Sequence, residues 1–308
     1  MSVNSQDKTE ALTTLPGAFC QMQALLISLR LTHWIKNVFL FAPLIFSGHF
    51  YDFTDILLTI RGFVIFSLAA SAVYVFNDVV DRERDALSEV TKNRPIAAGK
   101  VSLSAVLLTA VVLLAFALIL SYEVGFEFCS LLLLYIANNI AYTLLVKNKV
   151  IADVISIAAG FVIRVLAGAS LIQVEASQWL LVCTFSLALL LGFGKRRAEL
   201  FHSRGVKFVS TIYTAEKLDH MISVSAAMSL LSYMLYVVSS ESIGRFQGHD
   251  MVYTVPFVVY GIFRFVAKIQ EGKCWDPVHL IYSDKVSVFN IGIWFVTVTV
   301  VLLRAYQF

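Results

Sequence analysis

Long apolar runs separated by short polar segments occupy most of the chain beyond residue 23. A helix needs about 20 mostly apolar residues to cross a membrane, and nine runs reach or approach that length. We predict membrane spans at residues 35–50, 56–76, 103–121, 126–146, 150–172, 179–194, 221–239, 251–267 and 286–303. A tenth apolar stretch, residues 24–31, is too short to span and is expected to lie at the membrane interface. The pattern thus predicts an all-α integral membrane protein, a bundle of nine transmembrane helices.

The composition agrees with this pattern and excludes a soluble protein. Of the 308 residues, 58% are hydrophobic and 15% are charged, whereas soluble domains average about 45–50% and about 25%. The four cysteines contain no CxxC pair and the six histidines no HxxxH pair, so neither type is expected to bind a metal. The net charge of +3 gives no reason to expect a nucleic-acid partner. A homo-oligomer stays open, because lipid-facing and subunit-facing apolar surfaces have similar compositions.

The start of the chain differs from the rest. Residues 1–19 are polar overall and lack a basic segment followed by an apolar one, which argues against a cleaved signal peptide. We therefore expect residues 1–22 to form a flexible cytoplasmic segment and residues 23–308 to form a single transmembrane domain.

The basic residues are distributed unevenly between the two sides of the predicted bundle. Nineteen of the 24 Lys and Arg residues fall on the side of the N-terminus, whereas only Arg61, Arg245 and Arg304 fall on the other. The positive-inside rule therefore places the N-terminus in the cytoplasm, in a multi-pass protein of the cell's inner, or plasma, membrane. The cytoplasmic loops 77–102 and 195–220 are long and rich in ionisable residues, so we expect a polar cavity on that face.

An amide and two carboxylates lie one helical turn apart at the end of the second predicted span. No Pro or Gly interrupts this segment, so the helix is expected to continue through Asp85. Asn77, Asp81 and Asp85 then share one face, within about 80° of rotation. Carboxylates this close to hydrocarbon are costly unless they are paired, hydrated or metal-bound, and Mg²⁺ prefers such oxygen ligands. The motif predicts a Mg²⁺ site; the alternative is a hydrated helix end neutralised by Arg82 and Arg84.

These residues carry a family resemblance. The segment NDVVDRERD at residues 77–85 resembles the NDxxDxxxD motif of the UbiA-type intramembrane prenyltransferase superfamily. Four further segments resemble blocks of one branch, the decaprenyl-phosphate phosphoribosyltransferases: RLTHWIKN at 30–37, KNRPIAAG at 92–99, GFVIRVLAGA at 160–169 and GKRRAE at 194–199. The resemblance extends from about residue 25 to about residue 300. Thr32 departs from it, since a Pro is expected there and would set the geometry with which the first helix begins.

A second polar group, formed by Tyr142, Lys147 and Asp153, brackets the turn between the fourth and fifth predicted spans. Superfamily members that use a prenyl diphosphate usually carry a second DxxxD motif here. In this chain Ile157 stands where the second Asp would be, so one carboxylate is missing. The departure favours a different metal or phosphate arrangement from that of an aromatic prenyltransferase.

Arg164 lies within a predicted span, on the same helical face as Asp153 and about 16 Å deeper. An arginine inside a membrane is expected to face a cavity or an acid. One interpretation is a structural ion pair, with Glu127 as a candidate partner. The other is contact with an anionic substrate, because a guanidinium group matches the geometry of a phosphate.

Lys36, Lys195 and Arg196 lie near the ends of predicted spans. Each side chain could anchor its helix among the lipid headgroups or complement the helix C-terminus. Each could equally hold a phosphate group of a substrate. The sequence leaves both interpretations open.

The resemblance implies a reaction and a set of site residues. The branch transfers 5-phosphoribose from phosphoribosyl diphosphate to a polyprenyl phosphate, for an arabinofuranose-type lipid donor used in cell-envelope glycan synthesis. Mg²⁺ is the implied cofactor, with Asn77, Asp81 and Asp85 as ligands and Asp78, Asp81 and Asp85 as catalytic residues. The implied substrate-binding residues are Lys36, Arg84, Tyr142, Lys147, Asp153, Arg164, Lys195 and Arg196.

Two other functions stay open at this point. One is prenyl transfer from a prenyl diphosphate to an aromatic or glyceryl acceptor, which the missing second Asp disfavours. The other is a transporter or lipid-binding protein without catalysis. Transporters often contain paired helices broken by Gly or Pro, whereas prolines in the predicted spans are limited to Pro43 and Pro256.

Overall fold

The computed structural model describes residues 18–202, 213–239, 250–272 and 283–306, and every element assigned in these ranges is a helix. The α-helices are α1 Ala18–Ser28, α2 Phe41–Phe46, α3 Phe53–Val80, α4 Arg82–Ala86, α5 Leu103–Val124, α6 Phe126–Ala141, α7 Ala152–Leu171, α8 Gln178–His202, α9 Ala215–Val238, α10 Val255–Gln270 and α11 Lys285–Tyr306. The connecting elements are three 3₁₀-helices and one π-helix, at Leu31–Leu40, His49–Tyr51, Asp250–Thr254 and Tyr142–Val146 respectively. The all-α prediction is confirmed for the described part of the chain.

Nine helical stretches within the described ranges are long and apolar enough to cross a membrane. They are Gln21–Phe46, Phe53–Val80, Leu103–Val124, Phe126–Val146, Ala152–Leu171, Gln178–Leu200, Ala215–Val238, Asp250–Gln270 and Lys285–Ala305. Each overlaps one of the nine predicted spans. The prediction of a multi-pass membrane protein is therefore confirmed.

The first span differs from its prediction. Residues 24–31 belong to the span instead of lying apart from it, because the stretch continues through α1, the 3₁₀-helix and α2. The chain bends at Arg30, whose φ of 51° is in the left-handed region. The polar side chains of Arg30 and Asn37 bond to Asp78 and Ser67 of α3 instead of meeting lipid. A hydropathy pattern cannot register such inward bonds, and so it divided the span.

The helix that carries the NDxxD motif does not continue through Asp85 as predicted. α3 ends at Val80, and Asp81 has φ −89° and ψ 3°, outside the helical region. The short helix α4 follows, and the backbone N–H of Asp85 donates to the Asp81 carbonyl at 2.8 Å. The two helices thus meet at a kink, and Asn77, Asp81 and Asp85 still line one cavity.

Helix α7 lies at the centre of the bundle, where it packs against α2, α3, α6, α8 and the first 3₁₀-helix. Most of its residues are buried. Gly168 permits the closest contact, because a Cβ atom there would lie 2.1 Å from the Leu40 carbonyl oxygen. The 3₁₀-helix that carries Lys36 and Asn37 therefore lies directly against α7.

Two large apolar clusters fill the bundle around α7. One joins α7 to α3, α5 and α6 around Phe66 and Leu132, and the other joins it to α8, α9 and α10 around Leu190 and Ile222. Close van der Waals packing of these side chains holds the helices together, because lipid tails are as apolar as the side chains themselves.

The segment predicted to be flexible is described only in part. α1 begins at Ala18, so residues 18–22 are helical. Residues 1–17 lie outside the described ranges, as do residues 203–212 of the long loop 195–220. The flexible N-terminus and the single transmembrane domain remain predictions.

Candidate active site

A cavity of about 370 Å³ lies at the end of the bundle where α3 ends, α7 begins and α8 ends. Nine basic side chains line it: Arg30, Lys36, Arg84, Arg94, Lys147, Lys149, Arg164, Lys195 and Arg196. Four acidic side chains line it: Asp81, Asp85, Asp153 and Glu199. This excess of positive charge within low-dielectric walls favours a ligand that carries several negative charges.

Two motif residues at the end of α3, Asn77 and Asp81, are bonded by residues that follow α6. The Thr143 hydroxyl donates to Asn77 Oδ1 at 3.1 Å, and the Lys147 ammonium group donates to Asp81 Oδ1. The two donors lie four residues apart, as do the two acceptors. The donor Thr143 lies in the π-helix Tyr142–Val146, and the donor Lys147 directly follows it. A π-helix is an irregularity that often occurs at functional sites.

Asp85 and Asp78 bond to arginines from other segments. Arg94 Nη1 donates to Asp85 at 2.6 Å and contacts Asp78 at 3.4 Å. Arg30 forms a two-pronged bond with Asp78, with one N···O distance of 3.1 Å. Asp78 is 4% exposed and does not line the cavity. It lies behind the wall, where it holds Arg30 and Arg94 in place, whereas Asp81 and Asp85 line the cavity.

These pairings differ from the alternative in which the motif is a hydrated helix end. That alternative assigned the neutralising charges to Arg82 and Arg84. Arg30, Arg94 and Lys147, which come from three other segments, form ion pairs with the motif carboxylates. The motif is thus part of a tertiary network.

The motif fits Mg²⁺ if a bound substrate supplies further oxygen ligands. Asn77, Asp81 and Asp85 supply the hard oxygen ligands that Mg²⁺ prefers. Within the described residues, no three His, Cys, Asp or Glu side chains are grouped closely enough to hold a metal ion. Mg²⁺ commonly binds through one or two carboxylates, while waters and substrate phosphates complete its shell. The residues therefore fit an ion shared with a bound diphosphate.

Asp153 is held from both sides at the start of α7. It accepts from Arg196 Nε at 2.7 Å and from the Tyr213 hydroxyl at 2.8 Å. Arg196 also donates to Glu199 at 2.7 Å and to the Tyr142 hydroxyl at 3.1 Å. Arg196 is thus bonded to two carboxylates and a tyrosine hydroxyl, and these bonds link the π-helix, α7 and α8.

Tyr213 closes this network from the loop before α9. Its hydroxyl accepts from the Ile151 backbone N–H at 2.6 Å while it donates to Asp153. Ile151 has a φ of 66°, which is strained for a β-branched residue, and this bond helps to hold it. Burial raises the pKa of Tyr213 to about 12, so its hydroxyl keeps its proton at neutral pH.

Arg164 has neutral partners. Its nitrogens donate to Asn37 Oδ1 at 2.8 Å, to the Gly160 carbonyl at 2.7 Å and to the Tyr135 hydroxyl at 3.0 Å. The guanidinium also lies against the rings of Phe66, Tyr135 and Phe161. Arg164 is only 4% exposed, and none of its bonds within the described residues is to a carboxylate. The pair with Glu127 considered from the sequence does not form, and a buried cation in this state favours an anionic ligand.

The remaining predicted substrate-binding residues all line the cavity. They are Lys36 on the first 3₁₀-helix, Arg84 on α4 and Lys195 on α8. Their placement on three different elements surrounds the cavity with positive charge. This placement favours the interpretation in which these side chains face a substrate over the one in which they only anchor helices.

Sequence reasoning missed several residues of this site. Arg30 and Arg94 lie in two segments that resemble blocks of the family. Sequence spacing, however, does not reveal that they pair with distant carboxylates. Tyr213 gives no signal in the sequence. The rule that an intramembrane cation needs polar partners points to Asn37 and Tyr135, because both interrupt apolar runs.

Comparisons with known proteins agree with the resemblance. Residues 38–283 match the UbiA prenyltransferase family. Two similar relatives are named decaprenyl-phosphate phosphoribosyltransferase. The protein from Mycolicibacterium smegmatis is 30% identical over 292 residues, which cover 90% of this chain and 92% of that protein. The protein from Corynebacterium glutamicum is 30% identical over 269 residues, which cover 84% of this chain and 80% of that protein.

A solved structure has the same fold. The UbiA homolog from Archaeoglobus fulgidus bound to DMAPP and Mg²⁺ matches with a TM-score of 0.68 at 14% sequence identity, over 92% of this chain and 98% of that one. At this identity the likeness concerns the fold alone. The family match and the relatives, together with the helical bundle, show that this chain belongs to the UbiA prenyltransferase family and is a membrane-embedded transferase.

Proposed function

We propose that this protein transfers 5-phosphoribose from phosphoribosyl diphosphate to a polyprenyl phosphate and releases diphosphate. The product is an intermediate for an arabinofuranose-type lipid donor used in cell-envelope glycan synthesis. The proposed enzyme lies in the cell's inner membrane, with its N-terminus and its cavity on the cytoplasmic side. The names of the relatives and the uneven distribution of basic residues support this assignment.

The observation that carries the proposal is the charge of the cavity. Nine basic side chains face four acidic ones. Phosphoribosyl diphosphate carries a phosphate ester in addition to its diphosphate, and the acceptor carries a phosphate of its own. A prenyl diphosphate with an aromatic acceptor brings fewer negative charges, so the excess of cations matches phosphoribosyl transfer better.

The bonds of Asp153 also favour phosphoribosyl transfer over prenyl transfer. A second metal cluster would need carboxylates that are available to a metal at the start of α7. Asp153 is instead bonded to Arg196 and Tyr213, and Ile157 replaces the second Asp of a DxxxD motif. The proposed site therefore has one acidic cluster, which faces cationic walls.

The reaction breaks one bond and forms another. A phosphate oxygen of the lipid attacks the anomeric carbon of the ribose, and the bond from that carbon to the diphosphate oxygen breaks. The attacking phosphate is already anionic, so no protein group has to remove a proton. Negative charge grows on the leaving diphosphate, and preorganised cations such as Lys36, Arg84 and Lys195 stabilise it.

Asn77, Asp81 and Asp85 would hold Mg²⁺, which when bound supplies additional stabilisation of the leaving diphosphate. Asp78 acts as a positioning residue, because it bonds Arg30 and Arg94 behind the wall. Arg164 supplies a buried positive charge for a substrate phosphate.

The test uses the full chain purified in detergent, with Mg²⁺, radiolabelled phosphoribosyl diphosphate and a polyprenyl monophosphate. We expect label to enter the organic phase, and we expect EDTA to abolish this transfer. Asp81→Asn should also abolish it. Glu83→Gln is the matched control, because Glu83 lies two residues away but is exposed and outside the cavity lining.

Absence of labelled lipid in the wild type would contradict the proposal. Transfer from a prenyl diphosphate to an aromatic or glyceryl acceptor is then the reaction to measure. Full activity of Asp81→Asn would separately contradict the role given to the motif.

A further inference from the structure

The two motif carboxylates that face the cavity are already neutralised by the protein itself. Lys147 bonds Asp81, and Arg94 bonds Asp85 at 2.6 Å. The Lys147 and Asp81 side chains are only 15% and 16% exposed. A partly buried pair of this kind is screened less by water and salt than a surface pair, so it competes strongly with any other cation.

We propose that Lys147 is the built-in counter-ion of the metal site. It holds Asp81 until a metal ion arrives together with a diphosphate, and it then passes to a phosphate oxygen of the substrate. The inference rests on the proposed function, since it takes Asn77, Asp81 and Asp85 as the metal ligands. Lys147 is thus a positioning residue, which links metal binding to substrate binding.

The local geometry suits this exchange. The Lys147 backbone N–H donates to the Tyr142 carbonyl at 2.9 Å, so the main chain is fixed at the end of the π-helix. The neighbouring bond from Thr143 to Asn77 fixes the same segment against α3. Lysine carries its charge on a flexible stem with three donors. Because Lys147 lines the cavity, a change of rotamer is enough to move the ammonium group from Asp81 toward a bound phosphate.

The exchange makes the two ligands depend on each other. A metal ion alone must break the pair between Lys147 and Asp81 and leave an ammonium group without its partner. A diphosphate alone meets a lysine that is still engaged. When both ligands bind, the metal replaces Lys147 on Asp81 and the diphosphate accepts the released cation. Metal and diphosphate therefore strengthen each other's binding by the same factor.

The experiment measures Mn²⁺ binding by electron paramagnetic resonance, using the full chain in detergent and no acceptor lipid. Lys147→Met removes the counter-ion and keeps the length of the side chain. We expect it to bind Mn²⁺ alone about tenfold more tightly than the wild type, because no internal cation competes for Asp81. Lys149→Met is the matched control, since Lys149 lines the same cavity and has no bond to a motif carboxylate among the described residues. We expect this control to stay within about twofold of the wild type.

The second arm adds inorganic diphosphate and compares each sample with the same mixture without protein. We expect diphosphate to strengthen Mn²⁺ binding to the wild type by at least about tenfold, and to do so much less for Lys147→Met. Equal Mn²⁺ affinities of wild type, Lys147→Met and Lys149→Met would overturn the inference and leave the proposed function intact. Failure of every protein to bind Mn²⁺, with or without diphosphate, would contradict the metal site of the proposed function itself.

Lys147→Gln keeps the inference testable if Lys147→Met does not fold, because its amide can still donate to Asp81 without carrying a charge. We expect Lys147→Gln to bind Mn²⁺ alone more tightly than the wild type and to gain less from diphosphate. Tight binding of Mn²⁺ by the wild type without diphosphate, if Asp81→Asn abolishes it, would refute the inference.

Discussion

Arg164 and Arg196, two of the arginines that the membrane spans bring to the cavity, differ in their partners. Arg196 is bonded to two carboxylates, Asp153 and Glu199, which neutralise its charge. Its bonds link the π-helix, α7 and α8. Arg164 is bonded to an amide, a carbonyl and a phenol, so its positive charge has no matching negative charge within the described residues. The sequence placed both in one class of phosphate-binding residues. Their bonds indicate that Arg164 is the stronger candidate and that Arg196 has a bracing role.

Replacing Arg164 by Gln tests this difference, because it removes the charge and keeps a side chain that can bond to Asn37 or Tyr135. We expect kcat/KM for phosphoribosyl diphosphate to fall on the order of a hundredfold, as for the loss of one stabilising group around a developing anion. Arg61→Gln is the control, since Arg61 pairs with Glu123 at the opposite end of the bundle. Wild-type kcat/KM in Arg164→Gln would exclude an anion contact at this residue.

At the scale of elements, the close contact between α7 and the first 3₁₀-helix positions the site. It fixes Lys36 and Asn37 relative to Arg164. We expect Gly168→Ala to lower the free energy of unfolding by about 1–3 kcal/mol, because its Cβ atom would overlap the Leu40 carbonyl. Gly292→Ala is the matched control on α11, where a Cβ atom meets no other atom within 4 Å. Thermal unfolding in detergent measures both, and equal stability would show that the two helices can separate at little cost.

Asp284 joins α10 to α11. It accepts from Arg264 Nε and Nη2 and from the Ser287 backbone N–H at 3.0 Å, which caps α11. The hydrogen bonds from Arg264 and Ser287 hold the pKa of the Asp284 carboxyl well below its usual range. A depressed folded-state pKa stabilises the fold at neutral pH. This contribution is lost progressively as the pH falls from about 4 toward the lower folded-state pKa.

Asp284→Asn should therefore lower the unfolding temperature at pH 7 and weaken its decrease between about pH 5 and pH 3. The reason is that the variant has no carboxylate to protonate at this position. Glu83→Gln, on the exposed surface of α4, serves as the control. If the unfolding temperatures of wild type and Asp284→Asn depend on pH in the same way, the bonds of Asp284 to Arg264 and Ser287 do not contribute to stability in acid.

At the scale of the whole molecule, the cavity and most of the basic residues lie at one end of the bundle. Labelling of single cysteines in sealed cells tests which side that end faces. We expect a cysteine at Glu89, next to the motif, to react only after the membrane is permeabilised. A cysteine at Tyr122, exposed at the opposite end, should react in intact cells. The reverse pattern would contradict the cytoplasmic placement of the cavity.

The sequence alone determined the class of the protein, the residues of the acidic motif and eight of the nine spans found in the described ranges. Hydropathy suffices for this, because a lipid environment requires long apolar helices whose backbone bonds are internal. Tertiary structure decided the rest: the extended first span, the kink at Asp81 and the partner of each charge. Lys147 and Asp81 are 66 residues apart, and Arg164 and Asn37 are 127 apart. A periodic pattern describes one helix at a time, and these bonds exist only where different helices meet.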